Sequence, residues 1–169
     1  LGLNPYGHVQ GEGGEGGVLS MRGVSVKVAV VSVAFWCLFA FAGIASFIHG
    51  GIEQHMPGYI ESIGFTASFA ALVVSAESLG SMLDKFVMGW LNDKIGVQRT
   101  TLVELVLIAV GIVGFIVFHH PALLIVSAVL FGVQDSLMSV SLPLLIRDVF
   151  GSRNYTQIHA WIRTGVGLF

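Results

Sequence analysis

Six ionisable side chains lie inside otherwise apolar runs of this 169-residue chain: Glu77, Asp84, Lys85, Glu104, Asp135 and Arg163. In a hydrocarbon layer each costs at least ~2.5–3.5 kcal/mol at the centre, so each requires a partner or a water-filled cavity. Lys85 stands eight residues before Asp93, in the polar segment that closes its run, and Arg163 stands eight after Tyr155, where its run opens. At about 1.5 Å per helical residue, both lie roughly 12 Å inside the same boundary. Two cations at one depth on different helices can grip one anion between them. The alternative for each is an acid on a neighbouring helix, or, for Lys85, extension along its own stem to the interface.

Asp84 adjoins Lys85 but points about 100° away round a helix, on the face that also carries Ser81 and Glu77. Asp135 sits midway through its run, with Gln134 beside it and Ser139 one turn on. A carboxyl group closed off from water can load a proton, so Glu77, Asp84 and Asp135 are candidates for proton coupling; ion pairing with cations on other helices is the alternative. Glu104, only five residues past Arg99, is expected to be a structural partner of the charged segment before it. The chain carries no H-E-x-x-H, no G-x-S-x-G and no cluster of metal ligands, so neither an enzyme nor a bound metal or cofactor is expected. Its single cysteine, Cys37, lies within an apolar run and offers no disulfide framework.

The elements that must position these groups follow from composition. Hydrophobic residues make up 54%, charged residues only 11%, and the mean hydropathy is +0.85. A soluble domain typically carries about a quarter of its residues as Asp, Glu, Lys and Arg, so this chain lacks a soluble protein's polar surface. No alternating strand pattern occurs, and the expected class is an all-α membrane protein, a polytopic helical bundle. Residues 1–23 are a flexible glycine-rich segment, with Gly11-Glu12-Gly13-Gly14-Glu15-Gly16-Gly17 at its centre and no apolar core of a signal peptide. Residues 24–169 form the bundle, with spans expected at about 28–48, 66–91, 100–118, 122–149 and 155–169, the last cut short. The chain starts without Met and stops inside an apolar stretch, as a fragment of a longer protein would.

Basic residues orient the spans. Arg22 and Lys27, Lys94 and Arg99, and Arg147 and Arg153 fall at alternate ends, whereas segments 49–65 and 119–121 hold neither Lys nor Arg. The rule that cytoplasmic loops are basic places residues 1–23, 92–99 and 150–154 on the cytoplasmic side. Pro143 is expected to kink the fourth span, and Gly111 and Gly114 to let helices approach closely. His49, His55, His119 and His120 mark the outer ends and are expected to be solvated.

The segment Gly89-Trp90-Leu91-Asn92-Asp93-Lys94-Ile95-Gly96-Val97-Gln98-Arg99 resembles the G-x-x-x-D-[KR]-x-G cytoplasmic loop of the major facilitator superfamily, with Val97 and Gln98 where basic residues are usual. Leu3-Asn4-Pro5-Tyr6-Gly7, Ala34-Phe35-Trp36 and Phe150-Gly151-Ser152-Arg153-Asn154-Tyr155 are similar to segments of its oxalate/formate antiporter and monocarboxylate transporter group. The resemblance implies the C-terminal half of a twelve-helix fold, helices seven to eleven, with residues 1–23 as the central cytoplasmic loop. It implies a secondary transporter of the plasma or inner membrane, moving a small organic anion (a mono- or dicarboxylate) by alternating access. Proton symport or anion exchange would drive it, with Lys85 and Arg163 binding the anion. Gly89, Asp93, Lys94, Gly96 and Arg99 would form a gating loop. The implied partners are the lipid bilayer, the substrate, protons or a counter-anion, and the missing N-terminal half, with no nucleic acid. A facilitator for a neutral or cationic solute, or a non-transporting sensor of the same fold, is the alternative.

Overall fold

The computed structural model describes residues 24–167, so the glycine-rich segment 1–23 lies outside the described residues. Eight α-helices follow in order: α1 Val26–Val31, α2 Val33–Ser62, α3 Ala67–Ile95, α4 Val97–Val117, α5 Pro121–Phe131, α6 Val133–Ser136, α7 Leu142–Phe150 and α8 Tyr155–Val166. A π-helical turn, Leu137–Ser141, joins α6 to α7. No strand occurs among the described residues.

The helix starts are written in local chemistry. Ser32 Oγ accepts the N–H of Phe35 at 3.3 Å, and Thr66 Oγ1 accepts that of Phe69 at 3.3 Å, satisfying backbone donors that a helix leaves free at its N-terminus. Pro121 opens α5, where a missing N–H costs nothing. Ser32 also donates to the Ala29 carbonyl at 2.6 Å, which ties the end of α1 to the start of α2. The first apolar run is thus broken at Ser32, where the backbone is extended.

The second difference from the sequence expectation is larger. Residues 49–65 were to form an outer loop, yet α2 continues through Gly50, Gly51 and Pro57 to Ser62. Packing explains it: Met56 and Ile60 are buried in the main apolar cluster, and Tyr59 donates its hydroxyl to the Phe115 carbonyl of α4 at 2.7 Å. A continuous helix also keeps backbone groups paired, and Pro57 forfeits only one such bond. Likewise the Gly89–Arg99 segment is not an open loop. It is helical on both sides of Gly96, whose φ of 85° and ψ of 153° belong to a region essentially reserved for glycine.

Pro143 falls in the first turn of α7, directly after the π-helical turn, so the expected kink takes the form of one wider turn. With that turn included, Pro121–Phe150 is one stretch of 30 residues; it, Val33–Ser62 and Val97–Val117 are long and apolar enough to cross a membrane. At 29 residues α3 has the length as well, and it is the helix that carries Glu77, Asp84 and Lys85.

Two apolar clusters hold the helices. One joins α2 to α3, α4, α5 and α6 around Ile60, Val73, Leu124 and Phe131; the other joins α1 and the start of α2 to α7 and α8 around Phe35, Ile146, Ile158 and Ile162. Glycines set the closest approaches. A Cβ added at Gly80 would lie 2.6 Å from the Val129 carbonyl oxygen, and one at Gly111 would lie 2.8 Å from the Phe131 nitrogen. Bare backbone on α3 and α4 is what lets α5 seat between them, as small residues do in membrane bundles.

Candidate functional site: a charged cleft beside a sealed polar string

Consecutive residues on two helices face two different places. On α3, Lys85 is exposed and pairs with Asp135 while Asp84 is buried; on α6, Asp135 lines an open cleft while Ser136 is fully buried. The roughly 100° step between neighbours in a helix produces this division.

The cleft has a volume of about 270 Å³ and is lined by His49, Glu53, Glu77, Ser78, Ser81 and Asp135. Lys85 Nζ lies 2.6 Å from Asp135 Oδ2, and Ser81 donates its hydroxyl to the same oxygen at 2.6 Å. Both charged side chains remain about two-fifths exposed, at 42% for Lys85 and 41% for Asp135. His49 Nε2 lies 3.4 Å from Glu53 Oε2, one helical turn away on α2. Glu77 is buried in the wall, with no ion pair among the described residues. Lysine balances Asp135, histidine faces Glu53, and Glu77 is left as the acid without a paired cation.

Behind the wall, polar groups form a string. Glu104, fully buried on α4, accepts the hydroxyl of Ser141 at 2.9 Å and that of Ser136 at 3.3 Å, both on Oε1. Asn92 donates from Nδ2 to Ser141 Oγ at 3.4 Å, and Ser136 also faces Asp84. The sequence expectation that Glu104 supports the charged segment near Arg99 is corrected here: its partners are the serines of α6 and the π-helical turn. Gln134 donates to the Ala45 carbonyl and pins α6 to α2.

The other expected site residues are dispersed. Arg163 is exposed on α8, which packs on α1, α2 and α7, whereas α3 packs on α2, α4, α5 and α6; Lys85 and Arg163 therefore stand on helices that share no extensive contact. In the segment around Gly96, Asp93, Lys94 and Arg99 are exposed, and Lys94 Nζ rests 4.0 Å above the Trp90 ring. Gln98 donates to Asp148 of α7 at 3.4 Å, beside a polar recess that Asn92, Gly96 and Arg99 also line. Gly89, named with the implied gating loop, has open space where a side chain would lie. Sequence reasoning missed His49 and Glu53 as cleft residues. Their four-residue spacing was the available signal, and treating residues 49–65 as a loop concealed it.

A bundle of membrane-length apolar helices with ionisable groups facing a cleft defines a polytopic integral membrane protein. The sequence model of the Major Facilitator Superfamily matches residues 5–169, and the chain belongs to that family. Quinolone resistance protein NorA of Staphylococcus aureus strain MRSA252 is 30% identical over 114 residues, covering 65% of this chain and 29% of that protein. Probable inositol transporter 3 of Arabidopsis thaliana is 28% identical over 82 residues, covering 48% of this chain and 14% of its own length. The chain thus spans less than a third of the length of these relatives.

Proposed function

We propose that this chain is part of a secondary transporter that moves a small cationic or neutral solute by alternating access, with the cleft of α2, α3 and α6 as its share of the solute site. The observation that carries this reading is the Lys85–Asp135 pair. A lysine already held by a carboxylate at 2.6 Å offers little attraction to a free anion, while Glu77 in the same wall has no paired cation. A cationic solute entering the cleft would meet Glu77 and Glu53 and would compete with Lys85 for Asp135. The relatives fit a transporter, being named for quinolone resistance and, with its own qualifier, inositol transport. Protons are the natural coupling ion, because Asp135 and Glu77 can be loaded and unloaded as the cleft opens to either side.

A second reading keeps the carboxylate substrate implied by the oxalate/formate and monocarboxylate resemblance. The exposure of Lys85 favours it: a carboxylate could displace Asp135 from the lysine. Both readings place residues 1–23 as a cytoplasmic loop and the bundle as half of the fold, with an N-terminal half completing the pathway. Uptake by the full-length protein in proteoliposomes, under an imposed pH gradient, separates them. Labelled organic cations, polyols and carboxylates are supplied in turn. Saturable uptake of a cation or polyol supports the first reading, and uptake confined to carboxylates overturns it.

A further inference from the structure

The cleft of α2, α3 and α6 offers a solute hydrogen-bond acceptors and almost no free donor. Glu53, Glu77 and Asp135 line it, and an ionised carboxylate only accepts. Ser78 and Ser81 line it too, but their hydroxyl protons are committed. Ser81 donates to Asp135 Oδ2 at 2.6 Å, and Ser78 donates back along α3 to the Val74 carbonyl at 3.1 Å. The cationic donors are engaged as well: Lys85 Nζ rests 2.6 Å from Asp135 Oδ2, and His49 Nε2 lies 3.4 Å from Glu53 Oε2. The other imidazole nitrogen, Nδ1, is buried. Backbone N–H groups in the interiors of α2 and α3 are bonded along the helix.

Glu77 is where this surplus of acceptors is sharpest. Its residue is 5% exposed, it lines the cleft, and it has no ion pair among the described residues. Ser81 lies one turn along α3 from Glu77 and bonds Asp135, so the three form a continuous strip of oxygens across the wall. Lys85 shows which group such a strip holds: its ammonium sits on the same Asp135 oxygen that takes the Ser81 hydroxyl. At the Glu77 end of the strip, no described residue supplies an ammonium.

We infer that the solute is recognised through a primary ammonium group, with Glu77 as its charge partner and Ser81, one turn away, as an acceptor for a neighbouring N–H or O–H. The inference rests on the cationic form of the function proposed above and narrows it to a head group that donates hydrogen bonds. A primary ammonium carries three N–H donors, whereas a quaternary ammonium carries the same charge and none. Quaternary groups are held by aromatic faces, and no Phe, Tyr or Trp lines this cleft. A carboxylate would bring acceptors to acceptors.

The test measures binding to the full-length purified protein with three small hydroxylated probes that differ in their charged group: 2-aminoethanol, choline and glycolate. Unfolding temperature is followed against probe concentration at constant ionic strength. The amine should give a saturable rise, choline should bind at least about tenfold more weakly, and glycolate should give no rise. In E77Q, which exchanges the acid for a neutral group of the same shape, the response to the amine should fall to that of choline. The parent series needs no variant, so it decides the question even where E77Q is unstable. Choline bound as tightly as the amine, no saturable response to the amine, or a response unchanged in E77Q overturns the inference. Choline bound as tightly, with cation uptake intact in proteoliposomes, leaves the proposed function standing; binding and uptake confined to carboxylates overturn both.

Discussion

The cleft and the sealed string use the same chemical parts to opposite ends. Both contain carboxyl groups answered by serine hydroxyls, and both are built from α3 and the helix after Gly132. In the cleft, Asp135 takes Ser81 and Lys85 on a single oxygen and stays two-fifths exposed. In the string, Glu104 takes two serines and no cation and is fully buried. Where a lysine and an open face are present, a carboxylate has a partner it can exchange. Where both are absent, the same group is a fixed part of the packing. The difference is therefore one of access, and it is set by which of two consecutive residues turns toward open space.

Breaking the cleft pair is expected to have the largest effect on transport. K85A leaves Asp135 with Ser81 alone, and D135N leaves the lysine unanswered; each should lower the initial rate of solute uptake roughly tenfold or more, about 1.4 kcal/mol or above. Because both side chains are partly exposed, the fold should survive with only a small change in unfolding temperature. The double variant K85A/D135N, compared with both singles, gives the coupling between them. Additive losses, with no coupling, would mean that the two side chains act independently and that the pair does not organise the cleft.

The partition between the two regions can be attacked directly. Gly132 lies against α3 between Glu77 and Ser81, and a Cβ there would approach the Ser81 nitrogen to 2.9 Å and the Glu77 carbonyl more closely still. G132A should push α3 from α6 and cost ~1–3 kcal/mol by overpacking. Unfolding measurements report the cost, and solvent accessibility of a cysteine placed at Ser136 reports whether the string has been opened. An unchanged midpoint would show that the helices separate freely at this level.

Gly96 affords a milder perturbation outside both regions. Its φ of 85° with ψ of 153° strains any side chain, so G96A is expected to destabilise by about 1–2 kcal/mol. It should leave solute selectivity untouched, since no cleft residue borders it. A change in selectivity without loss of stability would connect the turn to the cleft and dissolve the distinction drawn between them.

How much of this was legible in the sequence depends on what each feature needs. The all-α bundle, the membrane-length runs and the ionisable residues within them follow from composition and periodicity, and the structure bears out the helical class. The close approach at Gly111 was legible because an apolar helix has few other reasons to carry bare backbone. Partner choice was not. Lys85 and Asp135 stand 50 residues apart on helices whose mutual rotation no local pattern encodes. The sequence left open whether Lys85 meets an acid or a solute, and packing of α3 against α6 brings the acid to it. Glu104 was misplaced for the same reason: proximity to Arg99 along the chain said nothing about which face of α4 meets Ser136 and Ser141. His49 and Glu53 were hidden by a glycine pair and a proline that resembled a loop, although tertiary packing around Met56 and Ile60 keeps that stretch helical.

The smallest expected effect tests where the sealed region ends. Gln98 and Asn92 both line the recess beside Gly96, and each donates one hydrogen bond of 3.4 Å, to Asp148 and to Ser141 respectively. Gln98 and Asp148 are exposed, so water can replace the lost partner, and Q98A should change stability by no more than ~0.5 kcal/mol. Asn92 and Ser141 are buried, so N92A leaves a buried group short of a partner and should cost about 1–3 kcal/mol. The comparison holds bond length and residue chemistry nearly constant and varies only access to water. Equal costs would place the wet boundary deeper than Asn92, and the string would then be an extension of the recess.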